Sequence, residues 1–123
     1  MTIQRIMLKS KIHRATLTAT ELNYEGSIAI DSQLLREADL LPGEQVHVLN
    51  LNNGKRLITY VIEAPAGSGT VMLNGPAARA GSVGDQVIIL AFVVVSEDKA
   101  RIMRARTVYV DTQNRPCPSP PKD

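Results

Sequence analysis

The sequence has no tryptophan, and aromatic residues make up only 3% of its 123 positions. Recognition of nucleic acid by base stacking is therefore disfavoured. A single cysteine, Cys117, excludes an internal disulfide. Two isolated histidines, His13 and His47, with no cluster of carboxylates around them, give no zinc-binding pattern, and no metal is expected. Excess charge of one sign is also missing. Fourteen basic residues against twelve acidic ones leave a net charge of +2, and Arg101, Arg104, Arg106 and Arg115 are scattered rather than striped. A nucleic-acid or membrane-surface partner is not expected from such a balance. The longest apolar run, residues 87–95, falls short of the roughly 18 residues a membrane span needs. No signal-peptide core opens the chain, so a cytoplasmic location is expected. No glycine-rich loop follows a strand and opens a helix, which disfavours nucleotide binding.

What is present suits one small domain. Hydrophobic residues reach 44% and charged residues 21%, an ordinary globular balance. Residues 11–18 alternate with the period of a strand, placing Lys11 and His13 on the same side as Ala15 and Leu17. Residues 27–30 open a second short strand. Asp31 and Ser32 are helix-capping types ahead of an apolar stripe at Leu34, Leu35 and Ala38, so one short helix is expected before Pro42-Gly43. Residues 45–49 and 56–62 read as strands, and Asn53-Gly54 between them signals a two-residue hairpin turn. Another strand is expected at 71–73, then a turn at Asn74-Gly75-Pro76 that starts a helical turn through Ala80. The β-branched run 87–95 reads as a central strand buried on both faces. One helical turn at 96–101 and a last strand at 107–110 follow. Four prolines in the last eight residues predict a disordered tail. Many short strands with little helix predict a small closed β structure, because closure removes exposed edges.

The chemistry concentrates at Tyr24-Glu25-Gly26-Ser27. A serine hydroxyl one residue after a glycine is placed to add to the glycine carbonyl, since glycine has no Cβ in the way and adopts unusual backbone angles freely. The peptide bond then becomes an ester. Elimination and hydrolysis convert the serine into a pyruvoyl group capping a new N-terminus.

Taken in register, Met7-Leu8-Lys9-Ser10-Lys11-Ile12-His13-Arg14, Tyr24-Glu25-Gly26-Ser27, Asn53-Gly54-Lys55-Arg56, Thr59-Tyr60 and Asn74-Gly75 resemble the pyruvoyl-dependent aspartate 1-decarboxylases over roughly residues 3–112. The resemblance implies a six-stranded double-ψ β-barrel with one or two short helices, assembled as a homotetramer with active sites between subunits. It implies a domain over residues 1–112, cut between Gly26 and Ser27 into a 1–26 β chain and a 27–123 α chain, with residues 113–123 as the tail. The activity implied is decarboxylation of L-aspartate to β-alanine and carbon dioxide, supplying pantothenate and coenzyme A synthesis. The covalent cofactor is the pyruvoyl group from Ser27, whose ketone condenses with the substrate amine as a Schiff base, without pyridoxal phosphate.

By the same resemblance Tyr60 is the proton donor, and Thr59 contacts substrate and assists the backbone rearrangement. Arg56 and Lys11 hold carboxylate charge, a task that suits the planar guanidinium fork of Arg56. Asn74, Gly75, Pro76 and Ala77 form the substrate-contacting loop. Pro76 departs from the usual Asn-Gly-Ala-Ala pattern and has no N–H to donate. His13 lies near the pyruvoyl group and Tyr24 shapes the cleavage turn. On a regular strand Thr59 and Tyr60 point to opposite faces, so both serve one site only with a bulge or if each faces a different subunit's pocket. Two alternatives stay open: a non-catalytic barrel that binds a partner such as nucleic acid, and a pyruvoyl decarboxylase acting on another amino acid.

Overall fold

A computed structural model describes residues 2–121. In chain order these form β1 (Gln4–Thr16), β2 (Ala19–Glu21), β3 (Ser27–Asp31), α1 (Ser32–Ala38), β4 (Gln45–Asn50), β5 (Arg56–Ala64) and β6 (Val71–Asn74). A 3-10 helix (Gly75–Ala80), β7 (Gln86–Ser96), α2 (Glu97–Ile102), β8 (Arg106–Val110) and β9 (Pro116–Cys117) complete the chain.

The strands form one sheet in the order β2-β6-β3-β5-β4-β7-β1-β8-β9. The sheet closes because β1 runs through Leu17 and Thr18 straight into β2, which lies at the other end of that order. The Thr18 N–H donates to the Val71 carbonyl at 2.9 Å across the closure. Counted as one strand, β1 and β2 make a six-membered circuit with β6, β3, β5, β4 and β7, and β8 and β9 attach to the other edge of β1. The sheet is mixed: β3·β5, β1·β8 and β2·β6 pair in parallel, and the other neighbours pair antiparallel. The mainly β barrel with short helices is thus present, with nine strand segments where six were expected. None of the described helices is long and apolar enough to cross a membrane.

Alternation builds the core. Val46 and Val48 of β4 and Val87, Ile89 and Ala91 of β7 point inward beside Ile12, Leu17, Ile28, Ile30, Val61, Val71 and Leu73. Each of the Val, Leu and Ile side chains contributes about 1.5–3 kcal/mol on leaving water. Strand β3, flanked by β5 and β6, is buried along its whole length, Ser27 and Asp31 included. Asp31 caps α1 by accepting from Gln33 N at 2.8 Å, and it also accepts from Gly67 N at 3.0 Å and Gly69 N at 2.9 Å. One carboxylate therefore fixes both the helix start and the 65–69 loop.

Four expectations are corrected. Strand β1 does not alternate evenly, because register shifts fall between Leu8 and Ser10 and between Ile12 and Ala15. At the second bulge Arg14 takes φ +62°, so Ile12, Ala15 and Leu17 all point inward. The Asn53-Gly54 turn is not a two-residue hairpin: β4 and β5 are joined by a 51–55 loop in which Gly54 but not Asn53 has positive φ. Asn50 organises it, its Oδ1 accepting from Asn52 N at 2.8 Å and Asn53 N at 3.3 Å. Strand β7 is buried on one face of this single chain, with Phe92 and Val94 exposed on the other. Finally, ordered contacts extend past residue 112. Asn114 is buried, accepting from Thr16 N at 2.8 Å and donating to the Thr16 and Gly69 carbonyls, and β9 pairs with β8. Of the expected tail, Lys122 and Asp123 lie outside the described residues.

Candidate active site

Ser27 opens β3 fully buried, where the antiparallel register pairs it with Asn74 of β6. On its other side β5 runs parallel, the first pair being Ile28 with Val61. One step back along that register, Tyr60 lies across from Ser27. Strand β5 is paired to β4 over residues 56–60 but takes up β3 only from Val61 onward. Its second edge is therefore free at Thr59 and Tyr60, and a groove of about 460 Å³ opens there. Gly26, Leu57, Thr59, Tyr60, Pro76 and Ala77 are among its walls. Thr59 and Tyr60, neighbours on β5, are both among the residues lining it.

The Ser27 hydroxyl donates to the Glu25 carbonyl at 2.9 Å and accepts from Asn74 Nδ2 at 3.2 Å. One lone pair of Oγ stays uncommitted beside Gly26, the residue whose carbonyl it would attack. Asn74 is itself buried, and its Oδ1 has no partner among the described residues. A buried acceptor without a donor costs about 1–3 kcal/mol, so this end of β6 is polar at the expense of stability. Tyr60 is partly buried, and that burial, with the carboxylate of Glu25 and with Tyr24 nearby, pushes its phenol above the ordinary value. It keeps its proton through the neutral range, as an acid must. Glu25 is the residue that sequence reasoning missed. Its carbonyl role is invisible in a side-chain pattern, and only its place in Tyr24-Glu25-Gly26-Ser27 pointed to it.

The other expected site residues lie elsewhere in the single chain. Arg56, exposed at the start of β5, directs Nη2 to Nδ1 of His47 at 3.1 Å. His47 in turn meets Phe92 edge to face, ring centroids 5.0 Å apart. Lys11 and His13 are on β1 between β7 and β8, opposite Thr107 and Tyr109. His13 rests edge-on against Tyr109 at 5.8 Å, its Nδ1 buried without a partner among the described residues. Burial, with Lys11 and Arg14 adding to it, holds the imidazole below its ordinary pKa and neutral. It lines a separate hollow with Arg14, Gln86 and Asp111. One chain thus gathers Gly26, Ser27, Thr59, Tyr60, Asn74, Gly75, Pro76 and Ala77, and leaves Lys11, His13 and Arg56 outside the groove.

Fold and site define a class: a small β-barrel protein in which a half-buried glycine at the edge of a groove leads into a buried serine, with a protonated tyrosine beside them. Comparison with known proteins then names the family. The aspartate decarboxylase family model matches residues 3–117, and the chain belongs to that family. It is 59% identical over 109 residues to the aspartate 1-decarboxylase of Dehalococcoides mccartyi (strain ATCC BAA-2266 / KCTC 15142 / 195), covering 89% of this chain and 88% of that protein. It is 49% identical over 114 residues to the aspartate 1-decarboxylase of Thermoanaerobacter pseudethanolicus, covering 93% and 97%. Among solved structures, the rationally designed mkDPBB_sym_86 protein is similar at a TM-score of 0.48 and 22% identity, over 63% of this chain and 90% of that one. The family match reaches residue 117, in keeping with the ordered contacts of Asn114 and β9.

Proposed function

We propose that the chain cuts itself between Gly26 and Ser27 and that the product decarboxylates L-aspartate to β-alanine and carbon dioxide, supplying pantothenate and coenzyme A synthesis in the cytoplasm. The observation that carries the reading is the buried Ser27 hydroxyl, held between Glu25 and Asn74 next to the Gly26 that lines the groove. Ser27 Oγ adds to the Gly26 carbonyl carbon, the amide C–N bond breaks, and the proton passes to the freed nitrogen of Ser27. An ester now joins residues 26 and 27. Loss of the Ser27 α-proton breaks the Cβ–O bond and releases the Gly26 carboxylate, leaving dehydroalanine. Its enamine tautomerises, and water releases ammonia.

The residues around Ser27 fit the pyruvoyl group that results. The position is buried, Asn74 offers an amide donor and a buried acceptor without a partner among the described residues, and the groove gives room for substrate. When present, that ketone supplies the electron sink decarboxylation needs, without pyridoxal phosphate. The chain's own groups do the rest. Tyr60 returns a proton to the substrate carbon, and Thr59 contacts substrate. Asn74 and the N–H groups of Gly75 and Ala77 meet its polar atoms, while Pro76 contributes shape alone. Arg56 and Lys11 bind carboxylate charge, and His13 and Tyr24 support the site.

Lys11 and His13 lie outside the groove of their own chain, and exposed apolar residues Ile6, Ile58, Phe92 and Val94 run across β1, β5 and β7. Both facts support a homotetramer whose sites are completed by a neighbouring copy. The test is Ser27→Ala, which stays one chain and releases no carbon dioxide from aspartate. Normal turnover by that variant contradicts the reading.

A further inference from the structure

Besides its proposed contact with substrate, the loop after β6 lies close against the 24–26 turn at Gly75. Gly75 sits at φ +62°, and a Cβ built there falls 2.6 Å from the Tyr24 carbonyl oxygen and 2.8 Å from both N and Cα of Gly26. All three are backbone atoms, so no side-chain rotation relieves the overlap. Only displacement of the 24–26 turn does. The scissile glycine is less crowded, since a Cβ at Gly26 meets only the Pro76 ring, at 3.4 Å.

We propose that Gly75 is a positioning residue for the chain's own cleavage: its bare α-carbon is the surface against which the 24–26 turn packs, and this sets the approach of Ser27 Oγ to the Gly26 carbonyl. The residue before Gly75, Asn74, holds the attacking oxygen, and Gly75 seats the turn that carries the bond to be broken. Nucleophile and target are thus fixed by consecutive residues of one segment. The inference rests on the self-cleavage proposed above and adds to it a requirement remote in sequence from the cut.

Gly54 supplies a matched control. It also has positive φ, +74°, but a Cβ there meets nothing within 4 Å. Asparagine tolerates left-handed backbone better than other residues with a Cβ, so Gly→Asn at each position isolates the clash from backbone strain. The parent, Gly54→Asn and Gly75→Asn chains are compared by intact mass, denaturing gel and melting curves, with and without hydroxylamine, which opens an ester. The parent and Gly54→Asn give the 1–26 and 27–123 fragments. Gly75→Asn melts cooperatively but stays a single chain of about 13.4 kDa, uncut by hydroxylamine. Cutting of Gly75→Asn at the parent's rate, or an ester that hydroxylamine opens in it, overturns the inference. If Gly75→Asn does not fold, two glycines inserted between Tyr24 and Glu25 to slacken the turn restore its melting transition. Failure of that rescue also overturns the inference. An uncut parent would refute the self-cleavage reading itself, which keeps the two failures distinct.

Discussion

Asn74 buries a side chain with one polar end unpaired among the described residues, and the cost is measurable. Its side chain is fully buried, Nδ2 donates to Ser27 Oγ at 3.2 Å, and Oδ1 has no partner among the described residues. In a Ser27→Ala chain, in which the proposed cleavage is blocked, Nδ2 loses its acceptor as well. Two buried polar groups are then unpaired, each costing about 1–3 kcal/mol. Replacing Asn74 by leucine in that background keeps the branching of the side chain and removes both. Against the gain stands a fitting cost of about 1–3 kcal/mol for a bulkier tetrahedral carbon in a packed interior. The expected net is a stabilisation of about 1–2 kcal/mol, or about 4–8 °C in Tm for a chain of this size. Urea titration of Ser27→Ala against Ser27→Ala/Asn74→Leu, at equal protomer concentration because assembly contributes to apparent stability, reads the difference. A double variant less stable by more than 1 kcal/mol would show that Asn74 is kept for packing, and the functional reading of the orphaned acceptor would fail.

The remaining predictions concern Tyr60 as the proposed proton donor, the neutral histidine and the helix cap. Tyr60→Phe leaves self-cleavage intact and lowers kcat about 10²–10⁴-fold, measured as carbon dioxide release alongside an intact-mass check. Because burial and Glu25 raise the Tyr60 phenol, the alkaline loss of turnover due to this group lies above pH ~10, and Glu25→Gln moves it down. His13 is held neutral in the fold, whereas an unfolded histidine takes up a proton near pH ~6.5. Stability is therefore lost as pH falls from there through the lower folded value, and His13→Gln flattens that part of a denaturation–pH profile. Asp31→Ala removes the acceptor for Gln33, Gly67 and Gly69 N–H groups and costs about 3 kcal/mol. A loss below 1 kcal/mol in urea would show that water replaces it.

The strands were legible where one face is apolar and the other is not. Residues 45–49, 56–62, 71–73 and 107–110 lie within β4, β5, β6 and β8, and Asp31 caps α1 as its residue type predicts. Bulges were not legible, because they are set by closure: β1 pairs with β7 and β8 along its two edges and then turns into β2, and Arg14 absorbs the mismatch at φ +62°. The 51–55 loop misled because Asn50, ahead of the Asn53-Gly54 signal, captures the turn amides first. Asn114 carries no periodic signal at all, yet it ties the chain's end to β1 and to the 65–69 loop.

At the site, Gly26-Ser27, Thr59-Tyr60 and the 74–77 loop were legible as separate motifs, and the parallel register of β3 and β5 brings them to one groove. What could not be read was that a groove opens where β5 has not yet taken up β3. Nor could sequence show that Lys11 and His13 lie outside the groove of their own chain, since spacing along β1 says nothing about which barrel face meets which neighbour.

The most direct measurement is the intact mass of freshly purified, unmodified protein, with sequencing of whatever N-termini it presents. Two fragments ending at Gly26 and beginning at a blocked residue 27 are expected, in equal amounts in every active preparation. A single uncut polypeptide that still turns aspartate into β-alanine would contradict the claim that Ser27 is the source of the catalytic group.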